Sequence, residues 1–160
     1  MKILLILLFS FIISFAKEDL YFLPDDSNQS IKEVSTLIEN AKKSIDIAMY
    51  NFTYKKFAKL LKQSVKEGKK VTVIMDKKKV SKEEDTLYKY LKDSGIDVVL
   101  TKNKLHIKMA IFDKQIAVFG SANWKKKSFN KDYEIVYVTD KPKVVKRLNS
   151  VFSKLLLENK

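Results

Sequence analysis

The chain has 160 residues, 46% of them apolar, and no cysteine. That length fits one domain with an ordinary globular core, and the missing thiols exclude disulfides and a lipid-modified cysteine. Thirty-two Lys and Arg against nineteen Asp and Glu leave a formal charge of +13, nearly all of it lysine, so the surface carries a broad positive potential that attracts polyanions, either nucleic acid or an anionic membrane.

The first sixteen residues read as a secretory signal. Lys2 is a short positive n-region, Ile3 to Ile13 is almost wholly apolar, and Ser14-Phe15-Ala16 is a small-x-small cleavage site, the three parts of an export signal. The apolar run is shorter than the roughly 20 residues that a membrane span needs; the competing reading is an uncleaved anchor. Residues 17–160 then form one exported domain, periplasmic or extracellular, with membrane association left open. Leu20 to Leu23 is a short apolar stretch ended by Pro24, an edge strand. Ser30 with Glu33 is spaced as a capping box, and Ile31, Val34, Leu37, Ile38 and Ala41 recur at helical spacing. Ser44 to Tyr50 alternates and then turns apolar, as a strand does. Phe57, Leu60, Leu61 and Val65 mark a second helix closed by Gly68, Val71 to Met75 a strand ending in Asp76, and Leu87 to Lys92 a third helix closed by Gly95. Ile96 to Leu100 is a strand. Ile107 to Phe112 and Ile116 to Phe119 pair around a turn at Asp113-Lys114, Ile135 to Val138 is one more strand, and a last helix follows Pro142. Strands alternate with helices up to residue 100, so the expected fold class is α/β: a mixed, largely parallel sheet sandwiched between helices.

His106 is the single histidine, and it opens the stretch HIKMAIFDKQIAVFGSANW. His106 and Lys108 are two apart, so on a strand both face the same way. An imidazole beside an ammonium is unfavourable unless an anion lies between them, and a phosphate is such an anion. Gly120 lets the backbone approach a ligand closely, while Ser121 and Asn123 add hydroxyl and amide donors. Together they supply a nucleophile, a fixed cation and neutral donors around one phosphorus centre. Trp124 reads as core. A metal centre is the rival route to phosphodiester cleavage, but with one histidine it would rest on Asp46, Asp76 and Asp113, which no spacing unites. Neither a metal nor another cofactor is expected.

The spacing H-x-K-x4-D-x6-G-S-x-N resembles the signature of the phospholipase D superfamily. Trp124 and Glu134 extend the likeness to the small bacterial nucleases of that superfamily, and SIDIAMYNFT and VTVIMD carry a weaker likeness back toward the N-terminus. One departure is Lys125, where the family often has a small hydroxyl residue. The resemblance implies a phospholipase D-like α-β-α sandwich in which His106 attacks phosphorus and forms a phosphohistidine. It implies that Lys108 and Asn123 hold the non-bridging oxygens with Ser121 in support, and that Glu134 accepts a hydrogen bond from the imidazole. Asp113 is structural in such proteins. The mechanism uses two imidazoles, one to attack and one to protonate the leaving oxygen; longer relatives carry two motif copies, whereas this chain has one, so a homodimer with a shared site is implied.

Lysines flank the motif: Lys77 to Lys79, Lys102, Lys104 and Lys125 to Lys127. Lys104 and Lys125 are the nearest substrate-binding candidates. A sequence-nonspecific endonuclease acting on DNA, or on RNA, is the leading expectation, with uptake or processing of extracellular DNA as its setting. A lipid phosphodiesterase and a nucleic-acid-binding protein without turnover are the alternatives.

Overall fold

A computed structural model describes residues 17–82 and 84–160, and the expected signal at residues 1–16 lies outside them. Seven strands form one sheet: β1 (Glu18–Leu23), β2 (Ser44–Met49), β3 (Lys70–Asp76), β4 (Asp97–Thr101), β5 (Lys108–Phe112), β6 (Ile116–Gly120) and β7 (Glu134–Thr139). Their spatial order is β1-β7-β6-β5-β2-β3-β4. The helices are α1 (Ser27–Asn40), α2 (Lys55–Lys66), α3 (Lys77–Lys82), α4 (Tyr88–Asp93), α5 (Lys126–Asn130) and α6 (Pro142–Asn159). Among the described residues no helix is long and apolar enough to cross a membrane.

The sheet's two faces bury two separate apolar layers. Alternate strand residues Ile45, Ile47, Met49, Val71, Val73, Ala110, Val118 and Val136 pack with Val34, Ile38, Phe57 and Leu61 of α1 and α2. The intervening residues Ala48, Ile74, Met109 and Ile111 pack with Phe152 and its neighbours on α6. Burial on both faces explains why β2 and β3 are almost continuously apolar rather than alternating. The α/β sandwich and its mixed sheet are as the sequence implies. The largely parallel pairing is corrected: β2–β3 and β3–β4 are parallel, but β2–β5, β5–β6, β6–β7 and β7–β1 are all antiparallel. The connections up to β4 run through helices; β4–β5 and β5–β6 are joined by short loops, and β6–β7 by a segment that includes the short α5.

One local expectation also changes, and two short helices are added. Helix α1 begins at Ser27, one turn before the expected Ser30 cap. The Ser30 hydroxyl donates instead to the Ser27 carbonyl, and Glu33 pairs with Lys17. Lys77 to Lys79 open a short helix, and Lys126 begins another. Both are too short for hydrophobic periodicity to reveal.

The β5–β6 hairpin turns through Asp113 (φ 51°) and Lys114 (φ 58°), the pair of left-handed residues that matches the twist of a tight hairpin. The Asp113 carboxylate leaves the hairpin and accepts the amides of Lys42, Lys43 and Ser44 at 2.7, 2.7 and 2.9 Å. It thereby ties the turn to the start of β2, and the structural role expected of Asp113 rests on this contact. Burial pushes its carboxyl upward, but the Lys42, Ser44 and Lys43 amides outweigh burial and hold it below the ordinary carboxylate value. A lowered folded-state pKa gives stability that is fully present above the unfolded value, about 3.9, and is lost as pH falls through the folded one. Asp113→Ala is therefore expected to reduce stability by about 2 kcal/mol near neutral pH. Urea unfolding of both proteins at several pH values checks this, and the gap between them should close in acid.

Candidate functional site

The site gathers along one edge of the sheet, where β2, β3 and β4 end and β5 and β7 begin. Asp76 closes β3 and is buried. Its carboxylate accepts the Lys79 amide at 2.6 Å and the Leu105 amide at 2.8 Å, joining the first turn of α3 to the loop that carries His106. The Leu105 side chain is buried against the α6 layer, and the Ile107 carbonyl accepts the Tyr50 amide at 3.0 Å. His106 is thus pinned from both sides although its own side chain is exposed. It lies two residues before β5 rather than within the strand.

Lys108 is the first residue of β5 and is buried. Its ammonium lies 3.3 Å from Nδ1 and 3.2 Å from Nε2 of His106, and donates to the His106 carbonyl at 3.1 Å. An imidazolium offers only N–H donors to an ammonium, so this contact favours the neutral ring. The crowding around the ring, then the charges of Lys108 and Lys104, hold the imidazole below its ordinary pKa, opposed by Asp76. Burial likewise lowers Lys108, with Glu134 opposing and Lys104 assisting.

The remaining motif residues come from the β6–β7 side. Asn123 Oδ1 accepts the Asn51 amide at 3.2 Å, which leaves its amide group free to donate. The Ser121 hydroxyl accepts the Ile135 amide at 3.0 Å, and the Ser121 amide donates to the Ile135 carbonyl at 3.1 Å. Gly120 is needed for a different reason than expected. A Cβ there would lie 2.1 Å from the Ile135 carbonyl oxygen, so the close approach is to β7 and not to a ligand. Glu134 acts electrostatically on Lys108; no hydrogen bond joins it to His106 among the described residues. Lys104 is exposed, and the Lys125 amide donates to the Asn123 carbonyl at 2.8 Å. A cleft of about 310 Å³ opens beside Lys104, lined by Lys102, Asn103 and Leu105 against Leu155, Glu158 and Asn159. Trp124 is buried against Phe52 and Phe57, as its core reading has it.

His106, Lys108, Ser121, Asn123 and Glu134 therefore meet at one edge, while Asp113 sits at the other. Sequence reasoning missed three supports: Asp76, Asn51 and Tyr50. Each falls at or just after the end of an apolar strand, and that position was the available signal. Asp46, Asp76 and Asp113 do not converge, and no group of three His, Cys, Asp or Glu able to hold a metal ion occurs among the described residues.

The family model for the phospholipase D-like domain of cardiolipin synthase matches residues 34–156. A mitochondrial cardiolipin hydrolase of Chlamydomonas reinhardtii is 24% identical over 128 residues; the match covers 79% of this chain and 57% of that protein, so the chain spans little more than half its relative's length. NucT from Helicobacter pylori superposes with a TM-score of 0.84 at 28% identity, covering 91% of this chain and 98% of that one. Nuc from Salmonella typhimurium, a phospholipase D family member, superposes at 0.81 with 22% identity over 91% and 97% of the two chains.

The electrostatics give a direct test. Because Lys104 is exposed and lowers the imidazole's pKa, Lys104→Ala should raise it. The chain's single histidine makes this an unambiguous proton NMR titration. No upward movement would remove Lys104 from the charge balance of the site.

Proposed function

The chain belongs to the phospholipase D superfamily, and from that premise we propose that it is a phosphodiesterase cleaving nucleic acid, DNA or RNA, through a phosphohistidine at His106. The observation that carries the reading is the surface-exposed imidazole held 3.2 Å from a buried ammonium. In the first step an imidazole nitrogen bonds to phosphorus and the P–O bond to the leaving oxygen breaks. A second imidazole, which enters the step protonated at both nitrogens, gives this oxygen a proton and is left neutral. That second imidazole then takes a proton from water as water attacks phosphorus and the P–N bond breaks. Lys108 and Asn123 grip the non-bridging oxygens, and Ser121 adds a donor from the β7 side. No step draws on a metal.

The second imidazole is His106 of another copy of this chain. An uncovered apolar patch supports the pairing. Phe22 lies across from Ile135 in the β1–β7 ladder, and its ring stacks on Tyr133 at 6.0 Å. Leu20, Phe22, Tyr133 and Ile135 are all exposed, Tyr133 by 83%. Tyr133 and Ile135 bracket Glu134, so the patch starts at the catalytic edge, and burying it between two chains would bring their sites together. Export through residues 1–16, followed by action on extracellular or periplasmic nucleic acid, completes the reading.

A lipid phosphodiester is the second reading, favoured by the likeness to a cardiolipin hydrolase. It requires an apolar channel beside His106, whereas the ring's neighbours are Tyr50, Lys108 and the charge of Lys104.

Purified protein is incubated with DNA, RNA and cardiolipin vesicles in EDTA, beside His106→Ala. Nucleic-acid cleavage that persists in EDTA, disappears in the variant and weakens steeply with salt is expected. Lipid hydrolysis alone would replace this reading with the second.

A mixing experiment tests the shared site. Excess His106→Ala chains, refolded together with wild-type chains, should suppress activity below that of the same wild-type amount alone, because mixed pairs hold one imidazole. Phe22→Asp should lower both the sedimentation mass and the activity. Full activity in a monomer would overturn the pairing.

A further inference from the structure

We propose that Tyr50 is a positioning residue for the reaction, an aromatic hub that sets the His106 ring and gathers two ammonium groups beside it. The inference rests on His106 being the nucleophile. Tyr50 directly follows β2, and its amide is bonded to the Ile107 carbonyl at 3.0 Å, so its backbone is fixed to the loop that carries the histidine. Its ring centroid is 4.7 Å from that of His106, with the planes at 61°. An edge-to-face contact of this kind is favoured by the quadrupoles of the two rings. The same ring has the Lys108 ammonium 5.3 Å and the Lys79 ammonium 5.5 Å from its centroid, both within cation–π range.

Three groups able to carry positive charge thus converge on one π system. Two of them, His106 and Lys108, are the residues assigned to attack and to grip the phosphate; the third, Lys79, arrives from α3 through the Asp76 contact with its amide. Before substrate binds, the Lys108 charge repels a proton on the ring and so lowers the imidazole's pKa. The electron-rich face of Tyr50 offsets part of that repulsion, so the cations stay gathered where the phosphate will sit. The exposed imidazole makes no hydrogen bond to a carboxylate within the described chain, so Tyr50 and Lys108 are what hold its orientation. The Tyr50 hydroxyl has no hydrogen-bond partner among the described residues. The ring, not the oxygen, is the working part.

The test uses Tyr50→Phe and Tyr50→Leu in the full protein, with two readouts. The first is the proton spectrum of the single histidine, because a neighbouring aromatic ring displaces its ring-proton resonances. The second is kcat and KM on the nucleic acid that the wild type cleaves. Tyr50→Phe is expected to keep the displaced resonances and to restore kcat to within about twofold of wild type. Tyr50→Leu should lose the displacement and lower kcat by about 10- to 100-fold, the effect of a small misplacement of a reacting group, with KM changed far less. If the leucine variant fails to fold, Tyr50→Met takes its place. Wild-type kcat in a folded non-aromatic variant, or equal loss in the phenylalanine and leucine variants, would overturn the assignment of Tyr50 alone. No cleavage by the wild type itself would instead overturn the reading of His106 on which it rests.

Discussion

An ammonium fixed 3.2 Å from an imidazole nitrogen is the constraint around which the rest of this molecule is arranged. Two groups that can both carry positive charge do not settle together unaided. The contact persists because the ring's pKa is lowered, because Lys108 is anchored as the first residue of a central strand, and because its charge is within reach of that of Glu134. The phosphodiester of the proposed reaction would bring the negative charge that such a pair lacks. The surrounding lysines make its approach favourable over a longer range, and the pair supplies the local grip.

The edge that holds this pair is built from chain segments far apart in sequence. The Asn51 amide seats Asn123, Asp76 seats the loop before His106, and the Ile107 carbonyl receives the Tyr50 amide. Backbone atoms do most of this work, so the site can tolerate change in many exposed side chains while its geometry is kept. The carboxylates and glycine of the motif divide differently from its donors and nucleophile. Asp113 and Gly120 serve the hairpin and the β6–β7 approach, whereas the roles proposed for His106, Lys108 and Asn123 are chemical.

Much of this could be read from residues alone, for identifiable reasons. The strands of the central sheet are buried on both faces, so their apolar runs are long enough to stand out. The paired residues His106 and Lys108 keep their spacing even though only the second is in a strand, because two residues of extended chain return a side chain to the same side. What could not be read was set by tertiary partners. Antiparallel closure after β4 depends on β5 pairing with β2, and no local pattern announces a partner some sixty residues away in sequence. The start of α1 moved because Ser30 found a carbonyl one turn back rather than an amide ahead. Tyr50 and Asp76 read as the ends of strands; their contacts with His106 and its loop exist only once the sheet has formed.

The separation of Asp113 from the reacting edge bears on how such a chain ages in evolution. A descendant that no longer cleaves anything is free to replace its histidine, but it still needs the carboxylate that clasps three amides and the glycine that admits a neighbouring carbonyl. Those two positions record ancestry. On the proposed mechanism the histidine, the lysine and the asparagine record use, and a motif kept at the first two and eroded at the other three is the trace that a retired member would leave.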